Sequence, residues 1–387
     1  MSSTQLRIVV AGTMATVPWQ GGWTWVLLQY VLGLRRLGHR VTFLDSVAPS
    51  ALQPAGVTLH ESTNVAYFKS VVDRFGLAEI SSLLLSDGAH NAVGPSYDEV
   101  MKATSEADVV INVSGSLRDE RLLGRARRRV YLDLDPGFTQ LWHAVQHIDM
   151  GFANHTDFVT IGPAIGTPNC AVPTCGLDWI ATWQPVVLEH WPAATGPSTE
   201  AFTTVANWRG YGSIEHDGVF YGQKVHAWRG LMALPALTTE RIVVALAIHR
   251  DESADLQALA ANRWERVDPA GVAATPEQYQ EFIQCSKGEI GIAKSGYVVA
   301  RSGWVSDRSI CYLASGRPVI AQETGFSRFL RCGDGLLPFE SLEQALDGLA
   351  RVRSDYARHA RAARALAEEY FDSDTVLRRL LARLNLS

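Results

Sequence analysis

Residues 6–11 (LRIVVA) form an apolar run broken only by Arg7 and closed by Gly12, which suits a strand buried on both faces of a parallel sheet. Residues 22–37 then carry apolar side chains at helical spacing and stop at Gly38, and residues 40–44 form a second strand closing at Asp45. The order strand, helix, strand is a βαβ opening. Further strand runs at 82–85, 107–113 and 129–134, with helical stretches between them, predict a doubly wound sheet for the first half.

The rhythm breaks at 162–197, where prolines stand at 163, 168, 173, 185, 192 and 197 and tryptophans at 179, 183 and 191. This segment reads as an irregular linker or cleft wall. Beyond it come strands at 202–207, 241–248, 289–293 and 317–321. Helices are predicted at 222–234, 253–262, 276–285 and 306–314, and residues 341–386 are mostly helical. A second α/β domain therefore begins near residue 200. No period repeats from one half to the other, so tandem repeats are not supported.

A chain of 387 residues suits two domains, and 47% apolar with 19% charged residues rules out disorder as a whole-chain state. Lys+Arg 35 against Asp+Glu 40 leaves a net charge of -5, so there is no global cationic field for nucleic acid or anionic lipid, and neither is expected as a partner. Five cysteines at 170, 175, 285, 311 and 332 form no CxxC pair and no zinc-type spacing, so neither a disulfide scaffold nor a structural metal is expected. Residues 1–5 are polar and the run at 6–11 is too short for a signal segment or a membrane span. The expected location is the cytoplasm, with reduced thiols and no integral membrane segment.

Two loops carry candidate chemistry. The first, residues 12–24, follows the opening strand and contains Trp19, Gly21, Gly22, Trp23 and Thr24. Paired glycines there let a ligand approach the backbone at a helix start, although the dinucleotide fingerprint GxGxxG is absent; a tight turn with aromatic packing is the bland alternative. The second begins at Lys294 and runs through Ser302-Gly303-Trp304-Val305-Ser306-Asp307-Arg308-Ser309. A polar, glycine-bearing loop is predicted after the strand, then a helix starting near Ser306. A helix start carries about half a positive charge, and Lys294, Arg301 and Arg308 add full ones, so phosphate is the natural guest. Asp307 would compete with it unless it caps the helix or pairs with Arg308.

The segment that follows resembles the GT-B glycosyltransferases. Ala314-Ser315-Gly316-Arg317-Pro318-Val319-Ile320 matches the turn that leads into a short strand in that family, and Gln322-Glu323-Thr324-Gly325-Phe326 is similar to its sugar-side loop. The resemblance implies two Rossmann-like domains facing a cleft: residues 1–197 on the acceptor side, 198–372 on the nucleotide-sugar side, and a helix at 373–387 returning to the first domain. It implies transfer of a sugar from a nucleoside diphosphate donor to an acceptor, with no metal and no cofactor beyond that co-substrate. Arg209 and Lys224 are similar in type and order to the family's diphosphate clamp. With them, Lys294, Ser306, Asp307, Arg308, Ser309, Glu323, Thr324 and Gly325 are the expected donor contacts. Where many retaining members carry two glutamates this chain has Gly303 and Cys311, so retention is not implied.

On the acceptor side, residues 130–135 end in Asp133 and Asp135 ahead of Pro136-Gly137, where a carboxylate can reach a cleft. Asp135 or Asp133 could deprotonate an acceptor hydroxyl, alone or through His155, with a structural role the alternative for His143, His147 and His155. Trp19, Trp23 and Trp208 stand beside glycines at predicted cleft-facing strand ends and are the first choices for sugar stacking. Trp19, Gly21, Gly22, Trp23 and Thr24 are thus the expected acceptor contacts. An epimerase or hydrolase of the same fold and a non-catalytic nucleotide-sugar-binding subunit are the competing functions.

Overall fold

The opening run becomes β1 (Arg7–Gly12), buried at every position after Arg7, and takes the middle of an eight-stranded sheet. In this computed structural model, which describes residues 5–88 and 90–386, its partners are β2 (Arg40–Val47), β3 (Ser81–Leu85), β4 (Ala92–Val93), β5 (Val109–Val113), β6 (Arg129–Asp133), β7 (Asp157–Thr160) and β8 (Trp179–Ala181). Most of the polar amino end, residues 1–4, and position 387 of the carboxyl-terminal segment lie outside the described residues. The strand order is β4-β3-β2-β1-β5-β6-β7-β8, parallel except for β4. It reverses between β1 and β5, which opens a crevice at the carboxyl ends of those strands.

The second sheet is parallel and six-stranded, in the order β13-β12-β9-β14-β15-β16. Its strands are β9 (Ala201–Asn207), β12 (Arg241–Ala247), β13 (Glu265–Val267), β14 (Gly288–Gly291), β15 (Val319–Gln322) and β16 (Leu336–Phe339). A separate hairpin, β10 (Ile214–His216) and β11 (Val219–Tyr221), lies between β9 and β12 in sequence. Seven helices matter for the cleft: α1 (Gly21–Arg36), α2 (Phe138–Ala144), α3 (Lys224–Arg229), α4 (Pro276–Cys285), α5 (Ser295–Ala300), α6 (Asp307–Ala314) and α7 (Ser373–Arg383). Among the described residues no helix is long and apolar enough to cross a membrane.

The domains are tied on one side by two adjacent crossings of the chain. Val186 donates its N–H to the Phe371 carbonyl at 2.7 Å, and Ser373 donates to the Val186 carbonyl at 3.0 Å. The second crossing delivers α7 onto α1, where Gly33 admits it: a Cβ there would stand 2.6 Å from a Leu377 methyl. Arg36 pairs with Asp374 at 3.1 Å at the edge of this contact.

Three local outcomes differ from the sequence reading. The proline-rich segment is not irregular throughout, because β8 extends the first sheet beside β7 and Trp191 is buried 5.1 Å from the Trp25 ring. Its prolines flank the strand without interrupting it. The loop predicted after Lys294 is the short helix α5; Gly296 lowers its helix propensity but is required, since a Cβ would meet the Phe138 ring at 2.4 Å. The helix predicted over 222–234 is confined to α3 and ends at Gly230.

Candidate active site

The carboxyl ends of the two sheets enclose a cleft of about 1000 Å³. The second domain contributes the ends of β9, β12 and β13, at Asn207, Ala247 and Val267, with Lys224 opening α3, Lys294 ahead of α5, and the start of α6. From the first domain and the crossing segment come Trp19, Trp23, Asp135 and Gln184.

Lys224 is the most unusual group on the second-domain wall. It is the first residue of a helix and donates its ammonium to the Ile292 carbonyl. Burial, with the neighbouring Arg308 charge, lowers its pKa to about 7, so near neutrality it is easily left uncharged. Arg308 donates from Nε to the buried Glu289 carboxylate at 2.5 Å and from Nη1 to the Val205 carbonyl at 2.9 Å. Its outer nitrogen, Nη2, has no hydrogen-bond partner among the described residues. The first intrahelical hydrogen bond of α6 runs from Ile310 to Ser306 at 3.1 Å, so the N–H groups ahead of it have no intrahelical partner. Burial raises the Asp307 carboxyl pKa, and its own and the Arg308 backbone N–H groups partly offset this. A wall with Arg308, a lysine that a bound anion would charge, and a helix start beside a carboxylate reluctant to ionise suits a diphosphate.

A second cluster bridges the domains. Asp135, just past β6, accepts hydrogen bonds on Oδ1 from Tyr211 at 2.5 Å, from the Tyr297 hydroxyl, and from Lys294 Nζ at 3.4 Å. Lys294 also donates to the Tyr211 hydroxyl and lies 3.6 Å from that ring's centroid. Burial lowers the Lys294 pKa, and Asp135 opposes the shift. The other carboxylate oxygen of Asp135 has no hydrogen-bond partner among the described residues. Gln223 accepts from Gly210 at 3.1 Å and donates to the Gly212 carbonyl at 2.9 Å, which fixes the loop carrying Tyr211. Trp304 stacks on Tyr297 at 4.0 Å and completes this end of the cleft.

The glycine loop acts differently from the sequence reading. Gly21 donates to the Ala273 carbonyl at 2.9 Å, and a Cβ on it would lie 2.1 Å from the Thr275 carbonyl oxygen. A Cβ on Gly22 would stand 2.9 Å from the Tyr279 ring. The close approach these glycines permit is that of the second domain, although Gly22 also borders the cleft. Thr24 is buried and shares a hydrogen bond with the Tyr67 hydroxyl at 2.6 Å. Trp19 is 47% exposed at φ 65, a left-handed conformation unfavourable for a bulky residue, with its ring 5.0 Å from Tyr67. Trp23 borders the cleft and donates to the Thr13 carbonyl at 3.0 Å.

Of the expected site residues, the structure brings together at the cleft Trp19, Gly22, Trp23, Asp135, Lys224, Lys294, Ser306, Asp307 and Arg308. The others lie elsewhere. Asp133 is fully buried and accepts from Thr139, Gln140 and Thr160 at 2.7, 2.9 and 2.8 Å, a knot that secures the end of β6. His155 is buried between Asn112 at 3.1 Å and the Gly151 carbonyl at 2.8 Å, and burial lowers its pKa to about 4. Arg209 does not border the cleft, because Glu252 holds its half-exposed side chain in an ion pair at the surface. Ser309 is buried in a small gap behind Trp304. Glu323 accepts from the Gly325 N–H, and Thr324 donates to the Trp304 carbonyl, so residues 323–325 brace the wall from behind. Trp208 is buried beside Trp228, with its indole donating to Asp255 at 3.0 Å. Gly303 packs near Pro163 and Phe329, and the Cys311 thiol is buried.

Tyr211, Gln184 and Tyr279 are not singled out by the sequence, and Tyr297, inside the second candidate loop, is given no role there. Reading residues 295–300 as a helix would have brought Tyr297 to notice, one turn after Lys294. Tyr211, Gln184 and Tyr279 reach the cleft only through long-range packing, for which the sequence carries no local signal.

No protein-family model and no curated protein matches the chain. Solved structures do. An alpha-glucosyltransferase in complex with UDP and a 13-mer DNA containing a HMU base is similar with a TM-score of 0.60 and 11% identity, over 99% of this chain and 100% of that one. Anabaena HepE in complex with UDP-glucose is similar at 0.59 and 12%, over 98% and 100% of the two chains. A glycosyltransferase from Rickettsia africae is similar at 0.53 and 11%, over 98% and 97%. At these identities the likeness is one of fold.

Proposed function

We propose that this chain, which has the two-domain GT-B fold, is a glycosyltransferase that moves a sugar from a nucleoside diphosphate donor to a neutral acceptor. The observation that carries the proposal is the second-domain wall, where Lys224, Arg308 and the start of α6 line one cleft at the ends of a parallel sheet. The same structural neighbours, bound to UDP or UDP-glucose, support a nucleotide sugar as the guest.

In this reading the diphosphate lies against Lys224, Arg308 and the amides of α6, which take up its charge as the bond to the sugar breaks. Asp135 stands across the cleft and accepts the acceptor's proton as its hydroxyl attacks, and Tyr211, Tyr297 and Lys294 orient the carboxylate. Trp19 and Trp23 supply aromatic faces for the acceptor. Among Trp19, Gln20, Trp23, Val26, Leu134 and Asp135, which form this wall, none is basic. That supports a neutral acceptor over a nucleic acid, whose phosphates would call for cations.

The test is incubation with UDP-glucose, GDP-mannose and ADP-glucose, with and without glycan acceptors, and measurement of free nucleoside diphosphate. Release that requires an acceptor is the expected result. Release without one indicates hydrolysis, and binding without release indicates a non-catalytic subunit. Turnover is also expected to survive EDTA, since protein groups carry the leaving-group charge.

Lys224 makes donor affinity depend on pH. A bound diphosphate favours the ammonium form and raises its pKa above about 7, so binding takes up a proton wherever the free lysine is neutral. Affinity is fully present below pH 7 and falls as pH rises beyond it, by up to about tenfold per unit until the bound-state pKa is reached. Calorimetric titration of a nucleotide sugar between pH 6 and 9 checks this, and Lys224→Met should bind more weakly and flatten the profile.

A further inference from the structure

Two polar side chains at the cleft have no hydrogen-bond partner among the described residues, although both are buried. Gln184 is 5% exposed and follows β8 in the crossing segment. Its position is fixed two residues on by Val186, hydrogen-bonded to Phe371, and then by Val187, which donates to Gln29 at 2.6 Å. Tyr279 is 3% exposed on α4, with its ring against Gly22. Both side chains border the same cleft. The polar atoms of this amide and this phenol are therefore free to pair with a ligand that enters the cleft.

We propose that Gln184 and Tyr279 form a hydroxyl-recognition subsite that selects a polyol in the cleft. The chemistry of the pair supports this choice of guest. An amide offers two N–H donors and an acceptor oxygen, a phenol offers either role, and neither brings a charge, so the matching group is a neutral hydroxyl. A subsite built to pair with a hydroxyl rejects analogues lacking it, because its own buried groups are then left unpaired. The proposal rests on the glycosyl-transfer reading, in which two parts of the donor carry hydroxyls: the pentose of the nucleotide and the transferred sugar.

The test uses Tyr279→Phe and Gln184→Met, which keep the ring and the approximate side-chain volume. Calorimetric titrations use whichever of UDP-glucose, GDP-mannose and ADP-glucose the wild type binds best, with the matching nucleoside diphosphate and its 2′-deoxy and 3′-deoxy forms. Each variant should bind the nucleotide sugar about 10- to 100-fold more weakly, while its unfolding midpoint stays level or rises because the deleted group had no protein partner. A loss that persists with the diphosphate and vanishes with a deoxy form places the hydroxyl on the pentose. A loss confined to the nucleotide sugar places it on the transferred sugar. Binding within twofold of wild type in both variants, or a loss that tracks a lowered unfolding midpoint, overturns the subsite while leaving the glycosyl-transfer reading standing. A wild-type protein that binds none of the nucleotides overturns both.

Discussion

Asp135→Asn should slow acceptor-dependent turnover by about 10²- to 10⁴-fold, the range for loss of a general base, while nucleoside diphosphate affinity changes little. The amide is close to isosteric and still offers an oxygen to Tyr211, Tyr297 and Lys294, so the bridge across the cleft keeps its shape. What is lost is the oxygen able to take a proton. Lys294 loses the carboxylate that favours its ammonium form, so donor affinity is measured separately to show that the kcat effect is not a disguised loss of donor. Rates at saturating donor and acceptor, beside a direct binding titration, separate the two quantities. Turnover within threefold of wild type would show that Asp135 only joins the domains. Lys294→Met is the companion, since it weakens the bridge and leaves a carboxylate.

The second large effect is expected at Gly21, which does not itself border the cleft. Gly21→Val places carbon where the Thr275 carbonyl oxygen stands 2.1 Å from an ideal Cβ, and the clash is with backbone, which has no rotamer to yield. The start of α1 must withdraw, which pulls on the Gly21–Ala273 hydrogen bond and on the Trp25 indole that donates to the Pro276 carbonyl at 2.8 Å. Trp23 and Tyr279 move with those elements, and a shift near 1 Å costs about 10²-fold in rate where reacting groups must be aligned. The unfolding midpoint should fall as well, because overpacking of this kind costs about 1–3 kcal/mol. Gly271→Ala is the control, since a Cβ there meets nothing within 4 Å; its activity and midpoint should match wild type. A Gly21→Val protein with wild-type turnover would mean that this contact is dispensable for the cleft.

β1 was legible in isolation because a strand buried on both faces is mostly apolar, and β9 was found despite Thr203 and Thr204 in its middle, whereas the short edge strands β13 and β16 were not anticipated. β8 was not, because three residues among prolines carry too little periodicity; its partner β7 defines it. For the site, charge near a predicted helix start pointed to Lys294, Ser306, Asp307 and Arg308, and all four border the cleft. Arg209 shows the limit of that reasoning, since its type and order suit a clamp while Glu252, forty-three residues later, holds it outside. Gly21 and Gly22 show another, because a pair of small residues signals close approach without naming what approaches.

The packing of α7 onto α1 has a bearing on biogenesis. The face of α1 around Gly33 cannot be covered until the second domain has emerged from the ribosome, so an element translated before that domain has its packing completed after it. Its nascent form must therefore wait, with an apolar stripe uncovered, for a helix encoded more than three hundred residues downstream.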